Sequence, residues 1–416
     1  MKKVLLIAYE FPPAFASGMY HAFYLAKYLR AFDWDPFVLT GVPGDLPAAL
    51  EDPLDLPSAL DAGRVRRAPL ADEAEWMEFA GRELPESWLR QSLLDPRHGF
   101  PDPLVRWLPR AWRRAEELLS AHRFDAVVTT SFPFTSVLLG RMARERFGVP
   151  WVAEFRDLWT EDPRFPRQSA AFLADSERLE RETLESADAV VAVSPPLAER
   201  FVRRGGGDRV RCIELSYEEA DFTFAREPPS DRFRLVQAGT LYPGMLPAAL
   251  PKALDLLAQL GKLDRARLDI AVAGANLSGR SGLPGARFLG PVLHAEMVRL
   301  YRGASALLLT LPAELREFIP SRLFEYMASG APILALVPPD SVAARMVLRS
   351  RTGTVVDIAA GVDEVAAAVH EFYVRGRNGT LTTAPDWEYI RGFSSRAMAG
   401  RWAALLNGLG AGERVQ

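Results

Sequence analysis

Short runs of branched aliphatic residues alternate with helical patterns along this chain, and they do so twice over. In the first half VLLIAY, PFVLTG, DAVVTTS, PWVAEF, AVVAVS and RVRCIEL read as buried strands, dense in Val and Ile and bounded by turn residues. Helical patterns such as MYHAFYLAKYLRAF and TSVLLGRMARERF lie between several of them. In the second half RLVQAG, LDIAVAG, ALLLTL, PILALV and GTVVDI alternate with helices in the same way. Strand, helix and strand joined in this order cross over right-handedly, so each half is expected to be a parallel sheet covered on both faces.

The 416 residues are enough for two such sheets, each with its own core. The join is expected at 216–231, SYEEADFTFAREPPSD, which is polar, proline-bearing and without periodicity. Residues 43–100, rich in Pro and Asp, read as loop and irregular helix inserted after the second strand. The two sheets are then expected to face each other across a cleft, with ligands beyond the carboxyl ends of the strands.

Several unusual segments fall at those ends. YEFPPAFASGMY follows the first strand, SFPFTS follows AVVT, EFRDLW ends the strand that starts at Trp151, and AGTLYPG follows the first strand of the second half. After ALLLTL comes REFIPSRLFEYMASGAPILAL, residues 316–336, with Glu317 and Glu325 eight positions apart. In one unbroken helix these would lie about 80° apart around the axis and roughly 12 Å along it, too far to converge on one small group. Pro320 excludes that helix, because a proline inside it loses a hydrogen bond and clashes with the preceding turn. Glu317 is therefore expected in a loop, with a new helix beginning near Ser321.

In their order and spacing these segments resemble the family 4 glycosyltransferases of the GT-B fold. The two glutamates with seven residues between them, followed by EYMASGAPI, are similar to that family's donor segment. FPPAFASG is similar to its glycine-containing first loop, and AGTLYPG to the GTLYxGR that opens its donor domain. SFPFTSVLLGRMARERFGVPWVAEFRDLW resembles a stretch of bacterial polysaccharide-building members that usually reads DFRDLW. The resemblance covers most of the chain and leaves 43–100 poorly matched. It implies an α/β fold of two Rossmann-like, doubly wound parallel-sheet domains: an acceptor-side domain over 1–215, a linker over 216–231, and a donor domain over 232–385. A helical segment over 386–416 is then expected to pack back on the first domain. The implied activity is a metal-independent hexosyltransferase that moves a sugar, with retention, from a nucleotide-sugar such as a UDP-sugar to a hydroxyl. The acceptor is a glycan or lipid-linked glycan, the setting polysaccharide, cell-surface glycan or glycolipid assembly. No cofactor is implied, the nucleotide-sugar being a substrate.

A nucleotide-sugar offers ribose and hexose hydroxyls, which ionised carboxylates hold through charge-assisted hydrogen bonds. Glu325 on the new helix is expected at the ribose, Glu317 near the transferred sugar, with Phe318, Ile319 and Pro320 forming the bend between them. Free N–H groups around Ser321 and Arg322, at the positive end of the helix dipole, are expected at the diphosphate. Gly239 and Thr240 face the same donor, and Gly18 lets the backbone approach its phosphates. The alternative is a local Glu325–Arg322 pair at i,i+3 with Glu317 solvated. On the acceptor side Arg156 and Asp157 close a strand beside Glu154. Asp157 either accepts a hydrogen bond from the acceptor hydroxyl or is the structural partner of Arg156. His21, for which packing is the commoner role, and Ser131 are the other acceptor-side candidates.

The chain departs from the family at one charged position. Where a donor-phosphate arginine is usual, LYPGMLPAALPKAL places Met245, with Lys252 following late. A preorganised cation at a departing oxyanion contributes several kcal/mol, about a hundredfold or more in rate. Arg322 is the expected replacement, ahead of Lys252 and Arg280, with a surface ion pair as its alternative. The family's asparagine-glycine turn before the linker is replaced by ELSYEEADF.

Other signals exclude more than they suggest. The net charge of −3 offers no footprint for nucleic acid, and Cys212, the one cysteine, allows no internal disulfide. Five scattered histidines give no metal-ligand spacing. The apolar run of MKKVLLIAYEFPP stops at Glu10, short of a signal peptide, and no apolar run approaches the roughly 20 residues that span a bilayer. A cytoplasmic protein is expected, with peripheral membrane contact and oligomeric state left open. DWD, residues 33–35, reads as a solvated turn before a strand rather than a metal pair. LVRWLPRAWRRAEELL, interrupted by Pro109, reads as a packing helix ahead of a membrane-surface one. No G-x-G-x-x-G follows the first strand, against a dinucleotide-dependent dehydrogenase. Two rivals remain: a nucleotide-sugar epimerase on the same architecture, and a noncatalytic nucleotide-sugar-binding partner with a degenerate donor site.

Overall fold

The computed structural model describes residues 1–14, 18–45, 60–84, 99–162, 169–223, 226–227, 231–275, 283 and 285–409. The chain divides into one unit of Met1–Glu214 with Ser395–Gln416 and a second of Leu215–Ser394.

The first unit is built on β1 (Lys2–Ile7), β2 (Trp34–Thr40), β3 (Val65–Arg67), β4 (Ala126–Ser131), β5 (Trp151–Phe155), β6 (Ala189–Ala192) and β7 (Val210–Cys212). They form one parallel sheet in the order β3-β2-β1-β4-β5-β6-β7. Every residue of β2, β4, β5 and β6 is buried, as unbroken aliphatic runs between two helical layers require. The order reverses between β1 and β4, so the loops leaving those strands diverge and open a crevice at their carboxyl ends. The six strands expected from the sequence are all present. The seventh, β3, lies inside the 43–100 segment expected to be irregular; its VRR is short and half-buried, so it carries no periodic signal.

The helices are α1 (Met19–Leu29), α2 (Glu73–Glu83), α3 (Leu108–Ala121), α4 (Thr135–Phe147), α5 (Ala170–Ser186) and α6 (Pro195–Phe201). Pro109 falls in the first turn of α3, where no intrahelical N–H is needed, and Trp107 and Trp112 are buried, so that segment packs inward. The start of α4 is held by the buried carboxylate of Asp102, which accepts from the Thr135 N–H at 2.7 Å and from its hydroxyl at 3.0 Å. DWD differs from the expected turn: Asp33 takes a left-handed conformation, whereas Asp35 lies within β2 and pairs with Arg64 at 2.9 Å. The C-terminal helix, Ser395–Leu409, returns to this unit and buries Met398, Trp402 and Leu406 in one cluster with Phe23, Leu29 and Trp34.

The second unit holds β8 (Phe233–Ala238), β9 (Leu268–Ala273), β10 (Arg287–Gly290), β11 (Ala306–Thr310), β12 (Ile333–Leu336) and β13 (Gly353–Val356), parallel in the order β10-β9-β8-β11-β12-β13. Its helices are α7 (Ala249–Gln259), α8 (His294–Arg302), α9 (Arg322–Ser329), α10 (Val342–Ser350), α11 (Val362–Arg377) and α12 (Trp387–Arg391). The edge strand β10, RFLG, is the one not anticipated, being short and only partly buried. Here too the order reverses, between β8 and β11, which marks the crevice of this sheet. Among the described residues no helix is long and apolar enough to cross a membrane.

Candidate functional site

In the second unit the bend at Pro320 takes the expected form. Glu317 lies in a turn, and α9 starts at Arg322. The Leu323 N–H donates to Pro320 O at 2.9 Å and the Phe324 N–H to Ser321 O at 3.2 Å, so the first turn is closed tightly. Phe318 donates its N–H to Leu315 O at 2.9 Å, and the Arg316 carbonyl accepts from the Val342 N–H at 3.1 Å, which pins the loop to the head of α10. Ile319 is buried against the core and Ser321 is exposed. Leu323, Phe324, Tyr326 and Met327 anchor α9 inward, leaving Arg322 and Glu325 half-buried at the crevice. Tyr326 fastens the helix to β8 by accepting the Ala238 N–H at 2.8 Å.

The strands that end here leave on glycines. Gly239, followed by half-buried Thr240, has φ +89°. Gly274 has φ +137°, and a Cβ on it would strike the carbonyl of Gly239. The Arg322 guanidinium lies over Gly239, where a Cβ would come within 2.8 Å of its Nη1, and its Nη2 donates to Thr310 O at 3.3 Å. Arg322 Nε, Thr310 Oγ1 and Gln237 Oε1 are buried with no hydrogen-bond partner among the described residues. Polar groups in that condition normally meet a ligand or solvent. Met245 is instead in the core beside Leu241 and Leu250, Lys252 is on the exposed side of α7, and Arg280 lies outside the described residues.

Glu325 does not form the local pair with Arg322. Its Oε2 accepts from the Tyr301 hydroxyl at 2.8 Å, and its Oε1 is 3.9 Å from His294 Nδ1. His294 Nε2 in turn is 2.6 Å from Asp221 Oδ2. Burial raises the Glu325 carboxyl above its usual range, the charge of His294 pulling against it. Burial, with Glu325 nearby, keeps the Tyr301 hydroxyl firmly protonated. Sequence reasoning missed Tyr301, His294 and Asp221. The available signal was the spacing of His294 and Tyr301, two helical turns apart on one face of α8.

In the first unit the ends of β4 and β5 converge on Arg156. Its Nε donates to Ser131 O at 2.9 Å and its Nη2 to Phe132 O at 3.1 Å, while Nη2 lies 3.4 Å from Glu10 Oε2. Asp157, half-buried, occupies the bend that follows β5. One acceptor-side expectation, that for Ser131, is corrected here. Ser131 is fully buried and its hydroxyl donates to Glu154 O at 3.0 Å, a tie between adjacent strands rather than a contact for an incoming hydroxyl. His21 is turned inward, its Nε2 2.7 Å from Oε1 of fully buried Glu154. Burial pushes that carboxyl up, and His21, Thr130 and Arg156 together outweigh it, leaving Glu154 below the usual range. At Gly18 a Cβ would collide with the Arg156 guanidinium and the Glu10 carboxylate.

Residues 20–218 match the family model of the glycosyl transferase 4-like domain. No curated protein sequence matches the chain. Among solved structures, sucrose-phosphate synthase from Thermosynechococcus elongatus is similar at TM-score 0.62 and 16% identity, over 98% of this chain and 99% of that one. The Anabaena protein HepE, solved with UDP and glucose, is similar at TM-score 0.61 and 15% identity, over 98% and 100% of the two chains. The UDP-forming α,α-trehalose-phosphate synthase from Burkholderia xenovorans, solved with glucose-6-phosphate, gives 0.59 and 12%, over 98% and 100%.

Two parallel, doubly wound units with polar residues at the carboxyl ends of their strands make up the GT-B fold. Within that fold, it is residues 20–218, close to half of the chain, that are similar to the glycosyl transferase 4-like domain.

Proposed function

We propose that the protein transfers a hexosyl group from a nucleotide-sugar to a hydroxyl of a glycan or lipid-linked glycan, with retention and without a metal, on the cytoplasmic side of a membrane-directed assembly route. The observation that carries this reading is Arg322 seated over Gly239 with Glu325 one turn further along the same helix. Glu325 takes the ribose hydroxyls, and Glu317 in the preceding turn takes the transferred sugar. Arg322 and the N–H groups at the head of α9 meet the diphosphate, as an anion suits a helix N-terminus. The bond from the anomeric carbon to the phosphate oxygen breaks, and the acceptor oxygen bonds to that carbon on the same face. The acceptor proton passes to the departing phosphate oxygen, so the products are a glycoside and a nucleoside diphosphate. Arg322 stabilises the charge that grows on the leaving oxygen, the part usually taken by the cation that Met245 replaces. In the first unit Asp157 orients the acceptor hydroxyl, and Arg156, braced by Ser131 and Phe132, supplies the adjacent positive charge.

HepE, solved with UDP and with UDP-glucose, makes UDP-sugars the first donors to try. The test is hydrolysis of UDP-, GDP- and ADP-sugars, each incubated alone with the protein and followed by release of the nucleoside diphosphate. One nucleotide class is expected to be hydrolysed slowly, and acceptors offered with it to yield a product of unchanged anomeric configuration. A nucleotide-sugar isomerised without release of nucleotide would establish the epimerase instead. Absence of both turnover and calorimetric binding across the panel would leave only the noncatalytic reading.

A further inference from the structure

We infer that Asp221 and His294 are positioning residues for Glu325, a relay in which Asp221 orients the His294 ring and the ring holds the carboxylate turned toward the donor ribose. This rests on the assignment of Glu325 to the ribose. Each part of the relay comes from a different element of the second unit: Asp221 from the Glu219–Phe222 turn, His294 from the first turn of α8, Glu325 from α9. His294 is 8% exposed, so its charge state is set by its neighbours more than by solvent. Its Nε2 lies 2.6 Å from Asp221 Oδ2, and its Nδ1 lies 3.9 Å from Glu325 Oε1, beyond a hydrogen bond but within the reach of an ion pair.

A protonated imidazole donates toward both carboxylates, whereas a neutral ring turns one lone pair toward an anion. The Tyr301 hydroxyl, two turns along α8, fixes the other oxygen of Glu325, so one helix face grips both ends of the carboxylate. That grip matters because a ribose hydroxyl donates well only to an ionised acceptor, and burial raises the Glu325 carboxyl, with His294 and Tyr301 drawing it down and Asp221 adding to the rise. Among the described residues, the other titratable or charged groups near the relay include Tyr301 on α8 and Arg322 and Tyr326 on α9. Both hydroxyls are raised, that of Tyr326 to about 12, so neither changes charge where the relay works.

Calorimetric titration of the full chain with UDP, GDP and ADP from pH 5.5 to 8.5 tests this, using wild type, Glu325→Gln, His294→Gln and Asp221→Asn. Glu325→Gln is expected to lose tenfold or more in affinity for the preferred nucleotide. His294→Gln is expected to lose about tenfold and to move the acid limb of the affinity profile to higher pH, because Glu325 protonates sooner without the cation. Asp221→Asn is expected to lose severalfold in affinity while moving the acid limb to lower pH, because the Asp221 charge raises the Glu325 carboxyl directly. A merely structural role would lower affinity at every pH alike. Wild type binding no nucleotide would overturn the donor-site assignment itself. A weakened Glu325→Gln beside His294→Gln and Asp221→Asn variants with wild-type profiles would overturn the relay alone. Unfolding temperatures of each variant identify any that fails to fold, and Asp221→Asn, which preserves shape, then carries the test.

Discussion

A cation that assists a departing diphosphate has to be held still before the charge appears. Arg322 meets that condition: its Nη2 is bound to the Thr310 carbonyl, its guanidinium rests on Gly239, and its Nε remains unpartnered among the described residues. Lys252 points away on the exposed side of α7. Arg322→Ala is therefore expected to lower kcat about a hundredfold with a small change in KM, and Lys252→Ala to leave both unchanged. Steady-state kinetics with the sugar donor decides it, and a raised KM at unaltered kcat would reduce Arg322 to a ground-state contact. A lysine at 322 should recover only part of the rate, because an ammonium cannot keep the carbonyl contact and reach the phosphate with a second planar N–H.

At the scale of elements, the crevice of the second unit depends on two strand exits lying against each other. Gly239 follows β8 and Gly274 follows β9, and a methyl added at Gly274 meets backbone atoms that cannot swing aside. With φ at +137° the substitution is strained as well. Gly274→Ala is expected to cost about 1–3 kcal/mol in thermal unfolding of this unit and to weaken nucleotide binding. Gly361→Ala, where nothing lies within 4 Å of the added methyl, is the clash-free control, its own cost being that of alanine at the N-cap of α11. A Gly274→Ala protein as stable as that control would show that the exits can part freely. The same elements mark how far the sequence could be read. Long aliphatic strands and the Pro320 bend were legible because burial and a missing N–H are local properties of the chain. The edge strands β3 and β10 were not, being short and only partly buried. The relay was hidden for a different reason: Tyr301 is 24 residues from Glu325 and Asp221 is 73 from His294, so only the folded sheet brings them together. Ser131 was misjudged because a sequence places a residue at a strand end without saying which way its side chain turns.

For the molecule as a whole, eight of the nine tryptophans belong to the first unit, and Trp387 alone to the second. Tryptophan fluorescence therefore follows unfolding of the first unit almost by itself. That unit contains Asp102, whose carboxyl burial raises from 3.8 to about 6, although hydrogen bonds from Thr135 and Leu104 favour the ionised form. The folded chain then holds this proton more tightly than the unfolded one. Its contribution to stability is fully present below pH ~4, is lost as pH rises to about 6, and amounts to about 3 kcal/mol over that window. Glu154, held below its usual range, works in the opposite sense, but its contribution is lost only as pH falls through values below the ordinary glutamate range. Between pH ~4.5 and 6 the slope should therefore follow Asp102, with urea midpoints falling as pH rises. Asp102→Asn retains an acceptor for the Thr135 N–H without the buried charge, so it should flatten that slope and raise the midpoint at pH 7. If the variant kept the wild-type slope, the carboxylate at the head of α4 would be solvated well enough to ionise at its ordinary value, and the stability of the first unit would have to draw its pH dependence from elsewhere.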